Sequence, residues 1–224
     1  MHYVLHYGQI TSYLPYFIEG ALLSLELSVL AFSAGLILAF ALAILRNDGG
    51  PIASRLVRGY VAFFTNTPQL VQIYVIFFGL PDLGILFSPF AAVLIGMTLN
   101  AAAYLTEIVR AGLASVHQQE LDAAETLGMG RLQTLRYVIL PHVFQVSMPP
   151  LSNQYILMTL GTSMAAVFGV EELTGRAMNV NSTTFRSIEV FTTIAGLYVI
   201  ITFIATILLA VFGRYAFRAR VRVL

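Results

Sequence analysis

The chain has 224 residues, 58% of them hydrophobic and only 10% charged, with a mean hydropathy of +0.82. Soluble domains carry about 25% charged residues, so this chain cannot cover a water-facing surface and reads as an integral membrane protein. Lysine and cysteine are both absent and the net charge is +1; these exclude a GxxxxGK[ST] nucleotide loop, disulfides and thiolate chemistry, and a clustered basic face for nucleic acid.

Residues 1–17 lack a basic n-region and a small-residue cleavage site, so the first apolar segment reads as a retained span rather than a removable signal. A bilayer core of about 30 Å needs about 20 mostly apolar helical residues. Five segments qualify: 20–45, whose one charge is Glu26, then 58–82, 82–107, 137–170 and 189–214. The runs are continuously apolar, whereas barrel strands alternate over about 10 residues. An all-α, polytopic protein with five transmembrane helices is expected. The fourth run is longer than one straight crossing needs.

Arginine gives the orientation. Arg46, Arg55 and Arg58 follow the first span, Arg110, Arg131 and Arg136 the third, and Arg214, Arg218, Arg220 and Arg222 form a basic tail at 214–224. With five spans these ten share one side and leave only Arg176 and Arg186 on the other. The positive-inside rule then puts the C-terminus in the cytoplasm and the N-terminus outside.

The connection 115–141 is too polar to cross. Residues 120–127 read as a short helix with Leu121, Ala124 and Leu127 on one face and Asp122 and Glu125 towards the other, stopped by Gly128 and Gly130. A second helical pattern, Leu132, Leu135, Val138 and Ile139, is expected to end at Pro141. Periodicity alone is met by a plain helix-turn-helix connector; a short acidic helix also suits a partner's groove.

The residues Asp122-Ala123-Ala124, then three residues, Gly128, nine residues and Val138-Ile139-Leu140-Pro141 resemble the EAA loop of ATP-binding-cassette (ABC) importer permeases. Asp122 stands for that family's glutamate and Val138 for its isoleucine. Thr67-Pro68-Gln69-Leu70-Val71-Gln72 is similar to the TPLLVQ stretch of its polar amino-acid branch. Leu99-Asn100 and Ala103-Tyr104-Leu105-Thr106-Glu107-Ile108-Val109-Arg110-Ala111-Gly112 are similar to its LN…AYLxEIxRGG run. Gln133-Thr134-Leu135-Arg136 and Thr162-Ser163 fit as well, so the likeness covers about 20–213.

The resemblance implies a type I importer permease fold in a single domain, 18–213, in a bacterial inner membrane. It implies an ATPase dimer that binds ATP-Mg, a second permease (identical or related), an external solute-binding protein and an amino-acid substrate. No cofactor is expected on this chain. Glu120, Asp122, Ala123, Ala124, Gly128 and Pro141 would form the ATPase-coupling loop. There are departures: Phe64-Thr65-Asn66-Thr67-Pro68 replaces FRGTP, Leu160-Gly161-Thr162-Ser163 replaces LKDTS, and Pro141-His142-Val143 replaces PQA. Charged contacts to a solute would then come from elsewhere, such as a partner permease.

Among residues inside the spans, Thr67, Gln72, Asn100, Glu107 and Ser163 are the candidates for a substrate pathway. Gln69, Gln72, Asn100, Asn153 and Gln154 read either as interhelical glue or as a lining, and Thr67-Pro68 is a break that frees backbone groups beside a cavity. Glu107 reads as a local pair with Arg110, three residues on, or as a gate or inter-subunit bond. Glu26 reads as snorkelling to the interface. The four histidines lack metal-ligand spacing, and no Ser-His-Asp arrangement is legible. Tyr60, Tyr104, Tyr155 and Tyr198 read as anchors or packing residues. Segment 171–189 reads as an exposed outer loop or short helix; the resemblance implies that it touches the binding protein, with Glu171, Glu172 and Arg186 offering charges. A channel or secondary transporter working without an ATPase is the alternative; it should show internal repeats or a charged relay, and neither is present.

Overall fold

A computed structural model describes residues 4–217, with side chains for 4–213. Two 3-10 turns, Tyr7–Gln9 and Thr11–Tyr13, lead into α1, Leu14–Asp48. Helix α2 (Gly50–Asn66) is followed by α3 (Gln69–Tyr74), which runs on through a π turn, Val75–Gly79, and a 3-10 turn, Leu80–Leu83. Next come α4 (Pro89–Ala114), α5 (Gln118–Thr126) and α6 (Arg131–Thr134). A π turn, Leu135–Ile139, joins α6 to α7 (Leu140–Gly161), which tightens to 3-10 geometry over Thr162–Phe168. The last helices are α8 (Leu173–Thr184) and α9 (Ser187–Phe217). Among the described residues there is no strand.

Three stretches are long and apolar enough to cross a bilayer as they stand: Tyr7–Asp48, Pro89–Ala114 and Ser187–Gly213. Two more qualify as bent pairs, Gly50–Asn66 with Gln69–Leu83 at 106° and Arg131–Phe168 with Leu173–Thr184 at 47°. Counting each pair as one crossing gives five. The directions agree with that count. Arg46 near the end of α1 meets Glu107 near the end of α4, so the first and third crossings run towards the same end of the molecule. Gly213 of α9 lies beside Met148 of α7, whose neighbour Ser147 packs on Gly112 near the end of α4, which brings the fifth crossing to that end too. The arginine side chains of the expected tail, and His2, lie outside the described ones.

Helices in lipid gain no hydrophobic drive towards each other, so small residues that admit close backbone contact carry the packing. On α1, Ser24, Ser28, Ala31, Gly35, Ala39 and Ala43 form one buried stripe. At Gly35 it meets Ala101 and Ala102, which are buried on α4. A Cβ added at Gly35 would stand 2.9 Å from Ala101 Cβ and 3.3 Å from the Ala102 nitrogen. Glycine is therefore needed there for approach rather than for backbone freedom. Around this seam Leu27, Ile73, Met97, Leu105, Leu151 and Phe168 make the main core. A second cluster at the opposite end packs Ile10, Phe17, Leu173, Ala177 and Val190. Glu26 is exposed on the outer stripe of α1 among Leu22, Val29 and Leu30.

Two sequence expectations change here. The helix does not end at Pro141; it passes through it into the fourth crossing. Proline is tolerated in a first turn, where its missing N–H needs no partner, and the π turn before it takes up the register. Segment 171–189 takes the short-helix alternative as α8, but not as an exposed one: its Leu173, Gly175, Ala177 and Val180 are buried against its neighbours.

Candidate functional site

The second crossing breaks where Thr67 and Pro68 turn extended, with φ/ψ of −118/143 and −62/133. Proline disfavours helical geometry in the residue before it and brings no N–H of its own. Carbonyls of α2 thereby lose their intrahelical donors, which in lipid costs several kcal/mol apiece unless they are met. Side chains meet them. Gln72 Nε2 donates to Phe64 O at 3.0 Å and Thr67 O at 3.1 Å. Asn100 Nδ2, from α4, donates to Phe64 O at 3.2 Å and to Gln72 Oε1 at 3.0 Å. Thr67 Oγ1 donates back to Phe63 O at 2.8 Å, and Tyr104 O–H donates to Thr65 O at 3.4 Å.

Beside this break lies a cavity of about 510 Å³, lined by Thr65, Asn66, Thr67, Pro68, Gln69, Asn100, Tyr104, Gln154, Leu157 and Met158. That volume is within the roughly 300–1,000 Å³ of small-molecule sites. Every polar group on the lining is neutral. The structure thus brings Thr67, Gln72 and Asn100 together: Thr67 and Asn100 face the cavity, and Gln72 is buried behind them. Gln69 and Gln154, ambiguous in the sequence, line the cavity, while Gln72 and Asn100 act as glue between the broken span and α4.

Two candidates lie elsewhere. Ser163 Oγ donates to Leu160 O at 2.9 Å within its own turn, and the cavity lining does not include it. Glu107 bridges Arg46 of α1 and Arg110, the latter at 2.8 Å. The local pair with Arg110 is present, and Arg46 is the partner that spacing could not supply. A second cavity, about 510 Å³, opens beside these arginines between Ala43, Ser54, Leu113, Leu121 and Ile139.

The polar connection forms a compact unit at the same end. Helix α5 ends on Gly128 at φ 72, a left-handed turn that glycine enters without steric cost. Asp122, Ala123 and Gly128 are exposed, Ala124 is buried, and Glu120 and Pro141 are half-buried. Leu121 is half-buried as its face requires, but Leu127 is 76% exposed because the chain turns outward there.

At the opposite end Glu172 departs from the reading of it as a surface charge. Its side chain is wholly buried. It caps α8 through Gly175 N–H at 2.9 Å and accepts from Ser24 O–H at 3.0 Å and Tyr198 O–H at 2.9 Å. Glu171 remains outside, accepting from Asn179 at 3.0 Å. Arg186 donates to Val4 O at 3.3 Å and to Glu189 at 3.4 Å.

Residues 31–223 match the family described as binding-protein-dependent transport system inner membrane component. The chain belongs to this family. The permease is 36% identical over 200 residues to the glutamine transport system permease protein GlnP of Escherichia coli (strain K12), covering 88% of this chain and 90% of that one. It is 37% identical over 196 residues to the octopine transport system permease protein OccM of Rhizobium radiobacter, covering 84% and 80%. A crystal structure of an amino acid ABC transporter with histidines superposes with a TM-score of 0.88 at 30% identity, over 95% of this chain and 100% of that one. A chain of the MetNI methionine ABC transporter, in an inward-facing conformation, shares the fold with a TM-score of 0.69 at 16% identity, over 89% and 97%. The all-α permease fold expected from the sequence is thus met, and the permease is an inner-membrane transport component rather than a catalyst.

Proposed function

We propose that this permease forms the translocation path for a polar amino acid, and that the neutral cavity at the Thr67–Pro68 break is part of that path. The observation that carries the proposal is the cavity itself: polar, large enough for a small solute, and built where a span is interrupted. Irregular backbone survives at membrane depth only where it is buried in protein or lines a cavity. The names of the relatives, glutamine, octopine and L-cystine permeases among them, support an amino-acid solute.

Five crossings enclose little space, so the path lies between two permease subunits, identical or related. The arginine end faces the cytoplasm, the N-terminus is outside, and an external binding protein delivers the solute. Helix α5 seats on a partner ATPase dimer that holds ATP-Mg, and Asp122, Ala123 and Gly128 form its exposed face. Closure of the ATPases drives alternating access through differential contact with the two states of the path.

Proteoliposomes holding this chain with its co-expressed partners test the reading. Labelled amino acid is expected to enter only when binding protein is outside and ATP is inside. Uptake that continues without ATP would overturn it in favour of a channel or secondary transporter.

A further inference from the structure

His142 stands where three pieces of the chain meet. It lies in the first turn of α7. Its Nε2 is 3.2 Å from Ser115 Oγ at the end of α4, and its Nδ1 is 3.6 Å from Glu120 Oε2 in the first turn of α5. The docking helix of the proposed function is therefore joined to two crossings through one imidazole.

Counting hydrogens decides what that ring can do. Ser115 gives its single hydroxyl proton to Gly112 O at 2.7 Å, so towards His142 it can only accept, and Nε2 must carry a hydrogen. An ionised Glu120 also only accepts, so a bond to Nδ1 needs a second hydrogen on the ring. Neutral imidazole has one N–H; imidazolium has two. In the structure the Ser115 contact is at bonding distance, while Glu120 Oε2 stands 3.6 Å from Nδ1 and is buried without a hydrogen-bond partner. A cavity of about 350 Å³ beside Glu120 and His142 leaves the carboxylate room to move.

We propose that protonation of His142 closes a latch: the new Nδ1–H draws in Glu120 and fixes α5 against α7, so that proton concentration on this side sets how tightly the docking helix follows the spans. Imidazole is the side chain whose charge changes near neutral pH. The other titratable groups around the ring are His117, before α5, whose ring centroid lies 6.3 Å away, and Tyr137, on the same cavity. His142 is a positioning residue here; it touches no solute.

The latch rests on the docking reading of α5 but is measured on the permease itself. Hydrogen exchange of residues 115–127 is followed in the assembled transporter in nanodiscs, and native protection is divided by that of His142→Gln at each pH. That ratio removes the intrinsic pH dependence of exchange. At about pH 6 native protection is expected to exceed the variant about two- to five-fold, the gain of one partly exposed ion pair, and at about pH 8 to match it. Glu120→Gln, which keeps the bond from His142 to Ser115, should flatten the dependence equally, and His117→Gln should leave it intact. A ratio that does not change with pH, or a dependence that disappears with His117, overturns the latch. Should His142→Gln fail to assemble, the native-to-Glu120→Gln ratio is expected to show the same rise at low pH, and a flat ratio there overturns the latch as well. A native chain that binds no ATPase overturns the docking reading instead, so the two failures are told apart.

Discussion

Glu172→Leu is expected to cost about 3 kcal/mol of stability. The leucine fits the volume but accepts nothing. Gly175 N–H, now bonded to the carboxylate, would be left buried and unmet at about 1–3 kcal/mol, while Ser24 O–H and Tyr198 O–H would lose their charged acceptor and keep only Gly20 O at 3.2 Å and Thr174 Oγ1 at 2.9 Å. Thr174 Oγ1, 2.9 Å from the Tyr198 hydroxyl, donates to it while the tyrosine's own proton goes to Glu172, and without the carboxylate that bond would have to reverse. Three helices meet at this carboxylate: α1 through Ser24, α8 through its cap and α9 through Tyr198. Glu172→Gln keeps one accepting oxygen and is expected to lose less than half as much. Thermal unfolding of the detergent-solubilised chain checks both. A leucine variant within about 1 kcal/mol of the native chain would show that the carboxylate is not what ties these helices together.

Gln72→Leu is expected to slow uptake more than ten-fold while assembly with the partner subunits persists. One amide serves both sides of the break: its nitrogen meets Phe64 O and Thr67 O, and its oxygen holds Asn100. Removing it strands Thr67 O and leaves Phe64 O to Asn100 alone, a cost of about 2 kcal/mol, and each 1.36 kcal/mol is a factor of ten in rate. The backbone at the cavity would then relax, and Asn100 would lose its orientation. Gln69→Leu serves as the contrast. Gln69 lines the cavity but bonds none of the broken carbonyls, so a loss of only about two- to three-fold is expected. Native uptake by Gln72→Leu would remove the break from the solute path.

Much of this architecture was legible because lipid imposes a coarse grammar. Runs without charge had to be spans, Thr67-Pro68 had to interrupt one, and polar residues as deep as Gln72 and Asn100 needed partners. The sequence could not tell which partners, since Asn100 and Gln72 stand 28 residues apart and Arg46 and Glu107 stand 61 apart. Glu172 was misread for a local reason. Glutamate is a poor signal for a helix cap compared with Ser, Thr, Asp or Asn, and one of its donors, Ser24, lies 148 residues away. The expected stop at Pro141 failed because a π turn absorbed it. The outward turn of Leu127 followed from the left-handed Gly128, a conformation that spacing alone does not report. Ser163, a pathway candidate by motif, donates to its own helical turn and lies off the lining of the cavity at the break.

The proposed coupling of these spans to an ATPase through the exposed face of α5 is what the proposed transport function stands or falls on. Co-purification of a tagged chain expressed with its neighbouring genes, native against Gly128→Val, tests it most directly. A Cβ at Gly128 meets nothing within 4 Å, so valine adds no clash with the spans. It does force a β-branched residue into φ 72, a strained conformation that re-aims the end of α5. An ATPase subunit is expected to be retained with the native chain and lost with the valine variant, while the variant still inserts and folds. A native chain that retains no ATPase would contradict the coupling.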